Sequence, residues 1–232
     1  MDSRIKELFG TSKTIVLLGE AGSGKSEVGL NLAEMLAAEY PEIAVEMFDL
    51  DQTKPLFRAR DFLEHNTGLP FVLHYQKQLM DSPVLVSGIE DAVLAPDRRV
   101  LLDIGGGAHG VQTLGQFEEL LNANDHVVLY LINPYRPWSG TREDFLVTMD
   151  EIKHISGLSR MCFAANPNHG PDTTFEDITE GLRRIRENLG VEPAFLCTLD
   201  EFADEARAVT GLPVLPLRIR LATSRVELMN VL

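Results

Sequence analysis

Apolar runs rich in β-branched residues alternate along this chain with stretches in which apolar residues recur every three or four positions. The runs have the character of strands buried on both faces, and the stretches that of amphipathic helices. Their alternation predicts an α/β fold of successive βα units, with a mostly parallel sheet and helices on both faces. Strands are expected at Thr14–Leu18, Ala44–Phe48, Val84–Val86, Val100–Asp103, His126–Ile132, Met161–Ala165 and Ala194–Cys197. Helices are expected at Lys25–Glu39, Val111–Asn122, Arg142–Ser156, Thr174–Leu189 and Glu201–Val209. In the fourth helix Phe175, Ile178, Leu182, Ile185 and Leu189 make one apolar stripe. Thr173 with Glu176 has capping-box spacing at its start, and Gly190 supplies a stop. Leu212 to Ile219 contains Pro213 and Pro216, so it reads as an edge strand or a loop.

The stretch from Lys54 to Pro83 lacks a clean period, and reads either as a switch or substrate-facing segment or as plain connecting helices. No repeat or linker-like tract divides the rest, so one domain over 1–232 is expected. The composition, 44% hydrophobic and 24% charged, is that of a globular domain. Charged residues interrupt the N-terminal stretch and no apolar run approaches membrane-spanning length, which leads to the expectation of a cytoplasmic protein. A net charge of −14 argues against nonspecific DNA binding and against an anionic membrane surface as partner. Arg98-Arg99 and Arg183-Arg184-Arg186 read as solvated charge rather than as a basic patch. Cys162 and Cys197, each alone in an apolar run, read as buried reduced thiols.

Candidate chemistry begins where the first strand meets the first helix. Gly19-Glu20-Ala21-Gly22-Ser23-Gly24-Lys25-Ser26 fits the phosphate-loop pattern G-x-x-x-x-G-K-[ST]. That pattern arises by chance in roughly 1% of chains of this length. The strand before it and the helix after it are the context the pattern requires. Glycines let consecutive N–H groups turn toward a β-phosphate, and the helix N-terminus favours the negative charge. Lys25 would bridge β- and γ-phosphates, and Ser26 would place its hydroxyl on Mg2+.

Two later strands end in acid. Asp103 closes an apolar run and leads into D-x-x-G spacing, which makes it the candidate magnesium-site carboxylate and makes the Gly106 N–H a candidate γ-phosphate sensor. Asp49 and Asp51 share one side of an extended strand end. Asp49 is the first choice for orienting the attacking water, and Asp51 for holding a magnesium-bound water, the alternative being that both are turn-forming aspartates. His109 and Gln112 are further candidates to orient water, or solvent-facing residues at a helix start.

With GEAGSGKS, FDLD, LLDIGGG and Ala165-Asn166-Pro167-Asn168 in this order, the chain resembles the MinD/ParA-type ATPases, of the SIMIBI class of P-loop NTPases, from about Lys13 to Pro216. The resemblance implies a magnesium-dependent ATPase that cycles between ATP and ADP, forms a homodimer and acts as a switch on a protein partner. It also implies that Asn166, followed by Pro167, contacts adenine. The guanine-selective N-K-x-D pattern is absent, in keeping with ATP. Members of the family usually carry a lysine second in the loop that reaches the partner's phosphates, whereas here the residue is Glu20. The loop, FDLD and the glycine run also resemble small-molecule kinases of the shikimate-kinase type. On that resemblance Arg58, Arg60 and Arg136 would hold a hydroxylated acceptor. A regulator that binds ATP without appreciable hydrolysis is the third reading.

Overall fold

The computed structural model describes residues 2–51, 68–75, 87–106, 108–137, 141–158 and 161–221. The predicted strand Val84–Val86, Arg58, Arg60 and most of the stretch from Lys54 to Pro83 lie outside them.

Eight strands among the described residues form one fully parallel sheet. In chain order they are β1 (Thr14–Gly19), β2 (Ala44–Asp49), β3 (Val72–His74), β4 (Arg98–Asp103), β5 (His126–Ile132), β6 (Met161–Ala165), β7 (Phe195–Leu199) and β8 (Val214–Leu217). Their spatial order is β3-β2-β4-β1-β5-β6-β7-β8. The chain thus builds outward from β1 on one side, inserts β4 back beside it, and then continues from β5 on the other. The reversal opens a crevice at the carboxyl ends of the central strands, where ligands bind in open α/β sheets.

The helices are α1 (Ser3–Gly10), α2 (Lys25–Glu39), α3 (Ile89–Leu94), α4 (Ala108–Gly115), α5 (Glu118–Asn122), α6 (Arg142–Ser156), α7 (Phe175–Arg184) and α8 (Ala203–Thr210). A π turn, Ile185–Leu189, extends α7 to its left-handed stop at Gly190. Alternation along the strands divides the core in two. Ile15, Leu17, Met47, Leu101 and Leu129 face one layer with α1 and α2, while Val16, Leu18, Phe48, Leu102 and Tyr130 face the other, with α3, α4, α6, α7 and α8. Helices therefore cover both faces, as the βα alternation predicts.

Several local expectations shift. The capping box at the start of α7 is formed by Thr174 and Asp177, one residue later than the Thr173–Glu176 spacing suggested. The Thr173 hydroxyl is already engaged, donating to the Gly170 carbonyl at 2.6 Å and accepting from the His169 N–H at 2.9 Å. The expected helix Val111–Asn122 breaks into α4 and α5, with a turn at Gln116 and Phe117 after Gly115. The segment around Pro213 and Pro216 is an edge strand, with β8 pairing only to β7 among the described residues.

The arginine clusters are absorbed by structure. Arg99 is buried between the Gly10 carbonyl at 2.7 Å, the Ser12 carbonyl at 3.2 Å and the Tyr40 ring. Arg183, Arg184 and Arg186 pair with Glu180, Glu187 and Glu192 on the outer surface. Cys162 and Cys197 are free and buried, and burial pushes the Cys162 thiol up to about 11. No described helix is long and apolar enough to cross a membrane.

Candidate functional site

The site is built where β1 runs out. Thr14–Gly19 is held on both sides, by β4 and β5, and is buried along its length up to Gly19. The chain leaves it through Glu20–Ser23 and enters α2 at Gly24, whose φ of 93° is in the left-handed region. A side chain there would be strained and would also strike the Asn166 amide nitrogen, 2.3 Å from an ideal Cβ. The turn is closed by the Ser23 N–H donating to the Glu20 carbonyl at 3.1 Å.

Lys25 is fully buried at the start of α2 and folds over the loop, its Nζ donating to the Gly19 and Glu20 carbonyls, each at 2.9 Å. Ser26 is buried beside it in the first helical turn. Glu20 is also buried, at 7% exposure, and its Oε2 has no hydrogen-bond partner among the described residues. Burial pushes its carboxyl up to about 7, against the opposing pull of Lys25 and with a further upward push from Asp144. Burial, with the Glu20 charge adding to it, likewise raises the Tyr130 phenol.

Two neighbouring strands deliver the carboxylates. Asp103 of β4 lies in register with Leu17 of β1 and with Asp49 of β2, so both acids project to the sheet face that carries α2. Asp49, Asp51 and Asp103 are all buried. The Asp51 N–H donates to the Asp49 Oδ1 at 3.1 Å, and Asp51 continues past the strand to rest against Gly105, where an ideal Cβ would lie 3.0 Å from its Oδ1. The glycines after Asp103 then press against the loop: a Cβ on Gly106 would meet the Ala21 nitrogen at 2.7 Å, so only a bare backbone fits. His109 and Gln112 fall in α4, which follows these glycines.

The opposite flank is made of amides. Asn166 is buried, and its Nδ2 donates to the Ser23 carbonyl at 2.7 Å, tying the end of β6 to the loop. Asn168 Nδ2 donates to the Asn166 carbonyl at 2.9 Å, and Asn133 Nδ2 to the Asn168 carbonyl at 3.0 Å. Pro167 packs toward Gly181 of α7. Arg136, in the turn after β5, reaches the loop from the same side, its Nε donating to the Gly22 carbonyl at 2.9 Å. Sequence reasoning named Asn166 and Arg136, but nothing in the spacing of residues indicated that both hold loop carbonyls.

The arrangement is a left-handed loop feeding a helix N-terminus, with one lysine, one serine hydroxyl and three carboxylates at adjoining strand ends. Such a donor set suits a polyphosphate together with a hard divalent cation, since hydroxyl and carboxylate oxygens are the ligands magnesium takes and an ammonium and a helix N-terminus are the groups that favour anionic oxygen. The fold and this loop define the class: an α/β fold of the P-loop NTPase type. No protein-family model matches the chain, and no curated protein matches it in sequence. Solved structures do match.

The chain is similar to the cell division protein FtsY of Thermotoga maritima, at 21% identity and a TM-score of 0.51 over 81% of this chain and 62% of that one. It is also similar to the chloroplast FtsY of Physcomitrella patens, at 14% identity and a TM-score of 0.50 over 80% and 58%. A nucleotide-binding protein of Archaeoglobus fulgidus, solved with ADP, aligns over 96% of this chain and 99% of that one, at 15% identity and a TM-score of 0.48. The chain thus matches about six tenths of the length of the FtsY chains. At these identities the likeness is one of fold, and the two FtsY structures are not of the MinD/ParA type that the motifs resemble.

Proposed function

We propose that the chain binds Mg·ATP on the loop Gly19–Ser26 and hydrolyses it, using the nucleotide state to switch its association with a second copy of itself and with a protein partner. The observation that carries this reading is the contact of Gly106 with Ala21, since the turn after Asp103 can sense what the loop holds only if it touches the loop. Lys25 binds the β- and γ-phosphates, turning to them from the Gly19 and Glu20 carbonyls. Ser26 and Asp103 would hold the metal, with Asp51 supporting it through water. When bound, the cation neutralises charge that develops on the phosphate oxygens. Asp49 orients the attacking water, whose oxygen bonds to the γ-phosphorus as the bond from that phosphorus to the β–γ bridging oxygen breaks. Asn166 and Pro167 border the base.

The switch follows because contacts to the γ-phosphate exist in one nucleotide state only, so the two states differ in interaction free energy. Light scattering on the protein loaded with a non-hydrolysable ATP analogue and with ADP tests it directly. A larger particle with the analogue is expected, and the same size in both states at high protein concentration would remove the dimer. Lys25→Ala should abolish ATP binding by calorimetry. Single-turnover phosphate release distinguishes an ATPase from a binding-only regulator, which would release none.

A further inference from the structure

Glu20 stands at the second position of the phosphate loop and turns its carboxyl inward, to 7% exposure. The loop therefore presents one cation of its own, Lys25. A triphosphate with one magnesium ion keeps net negative charge, which a single ammonium does not match. A second positive group does reach the loop, from a different element. Arg136 lies in the turn that follows β5, its backbone N–H bound to the Asn133 carbonyl at 3.1 Å and its Nε bound to the Gly22 carbonyl at 2.9 Å. The guanidinium lies flat across the loop, with Nε, Cζ and Nη2 at 3.0, 3.2 and 3.5 Å from an ideal Cβ on Gly22. Among the described residues Nη1 and Nη2 take no other partner. Among the described residues no carboxylate pairs with Arg136, whereas the helix-surface arginines Arg183, Arg184 and Arg186 are each paired with glutamate.

We propose that Arg136 is the second phosphate-binding cation of this site, acting on the nucleotide of its own chain in place of the lysine that the second loop position lacks. The hydrogen bond from Nε anchors the side chain, and the remaining guanidinium donors face the polyphosphate. Arginine suits this role because its planar fork can satisfy a carbonyl with one edge and phosphate oxygens with the other. The inference rests on the loop being a triphosphate site.

The test is the Kd of Mg·ATP for the wild type, Arg136→Ala and Arg136→Gln, each measured across a salt series. Glutamine keeps an N–H donor for the Gly22 carbonyl and drops the charge, so it separates the two jobs. Both variants should bind roughly ten- to a hundredfold more weakly, the cost of a lost charge-assisted contact. Both should also show a flatter dependence of log Kd on log salt than the wild type. Wild-type affinity and salt dependence in Arg136→Gln would reduce the arginine to a brace for the loop and overturn the proposal. Recovery of hydrolysis on mixing Arg136→Ala with Lys25→Ala protomers would show the arginine working across a dimer and overturn its action in its own chain. If the wild type binds no Mg·ATP at all, the nucleotide reading fails and this inference falls with it. If the wild type binds and the variants match it, only the role of Arg136 fails.

Discussion

The phosphate loop has two flanks of opposite character. On the β6 side neutral amides meet backbone carbonyls: Asn166 holds Ser23, Asn168 holds Asn166 and Asn133 holds Asn168, each with an ordinary hydrogen bond. On the β4 and β2 side three buried carboxylates, Asp103, Asp49 and Asp51, gather on adjoining strand ends. The amide flank is complete as it stands, because every bond named is between groups of the chain itself. The acidic flank instead gathers carboxylate oxygens, the ligands a hard divalent cation takes. One side is built to keep the loop in shape, and the other to work with what the loop binds. Mutations on the acidic side should thus change chemistry more than stability, and on the amide side the reverse.

The largest effect is expected at Asp103. Asp103→Asn keeps the size and hydrogen-bonding capacity of the side chain and removes the charge a divalent cation would meet. The rate of ATP hydrolysis at saturating Mg2+ should fall by about a hundredfold or more, the scale seen when electrostatic stabilisation is removed from a reacting centre. The thermal midpoint should change far less than the rate. A variant that melts early and hydrolyses at the normal rate would place Asp103 on the structural side and erase the contrast.

Asn166→Ala probes the other flank. It leaves the Ser23 carbonyl without its buried donor and opens a small void beside Gly24, together worth about 1–3 kcal/mol. Denaturant unfolding should show that loss in the ligand-free protein. Raising nucleotide concentration should restore part of the lost stability, because a ligand that binds only the folded state stabilises it. Unchanged stability would show that the 2.7 Å bond is not needed to hold the loop.

How far each flank could be read from the sequence differs for a physical reason. The acidic flank was legible because Asp49 and Asp103 each close an apolar run, with Asp51 two residues beyond the first, and parallel pairing carries strand ends to one edge of the sheet. The loop was legible because its spacing is local. The amide flank joins Ser23 to Asn166, 143 residues apart, through one side chain, and no periodicity reports such a bond. The strand order was hidden for the same reason, as the insertion of β4 between β1 and β2 depends on distant pairings. Short elements also escaped: β3 has three residues and α3 has six, too few to display a period. The start of α7 was misplaced by one residue because Thr173 and Thr174 are equally good caps in isolation, and only the turn that occupies Thr173 decides between them.

The smallest predicted effect tests where Glu20 belongs. It lies within the loop, yet its carboxyl is buried on neither the amide network nor the strand-end cluster, and burial raises it from the ordinary 4.5 to about 7. A carboxyl raised on folding favours the folded state when protonated, so its stabilising contribution is full below about 4.5 and is lost as pH rises through about 7. Glu20→Gln mimics the protonated form at every pH. Its melting temperature should equal that of the wild type near pH 4.5 and exceed it at pH 8. The opposing pull of Lys25 limits the gain, which should be roughly 1 kcal/mol, or about 2–4 °C for a chain of this size. The same substitution removes a negative charge from beside the proposed phosphates, so ATP affinity at pH 8 should rise in parallel with stability. If stability rises and affinity does not, the Glu20 carboxylate is too remote from the phosphates to repel them, and its charge belongs to the scaffold rather than to the working side of the loop.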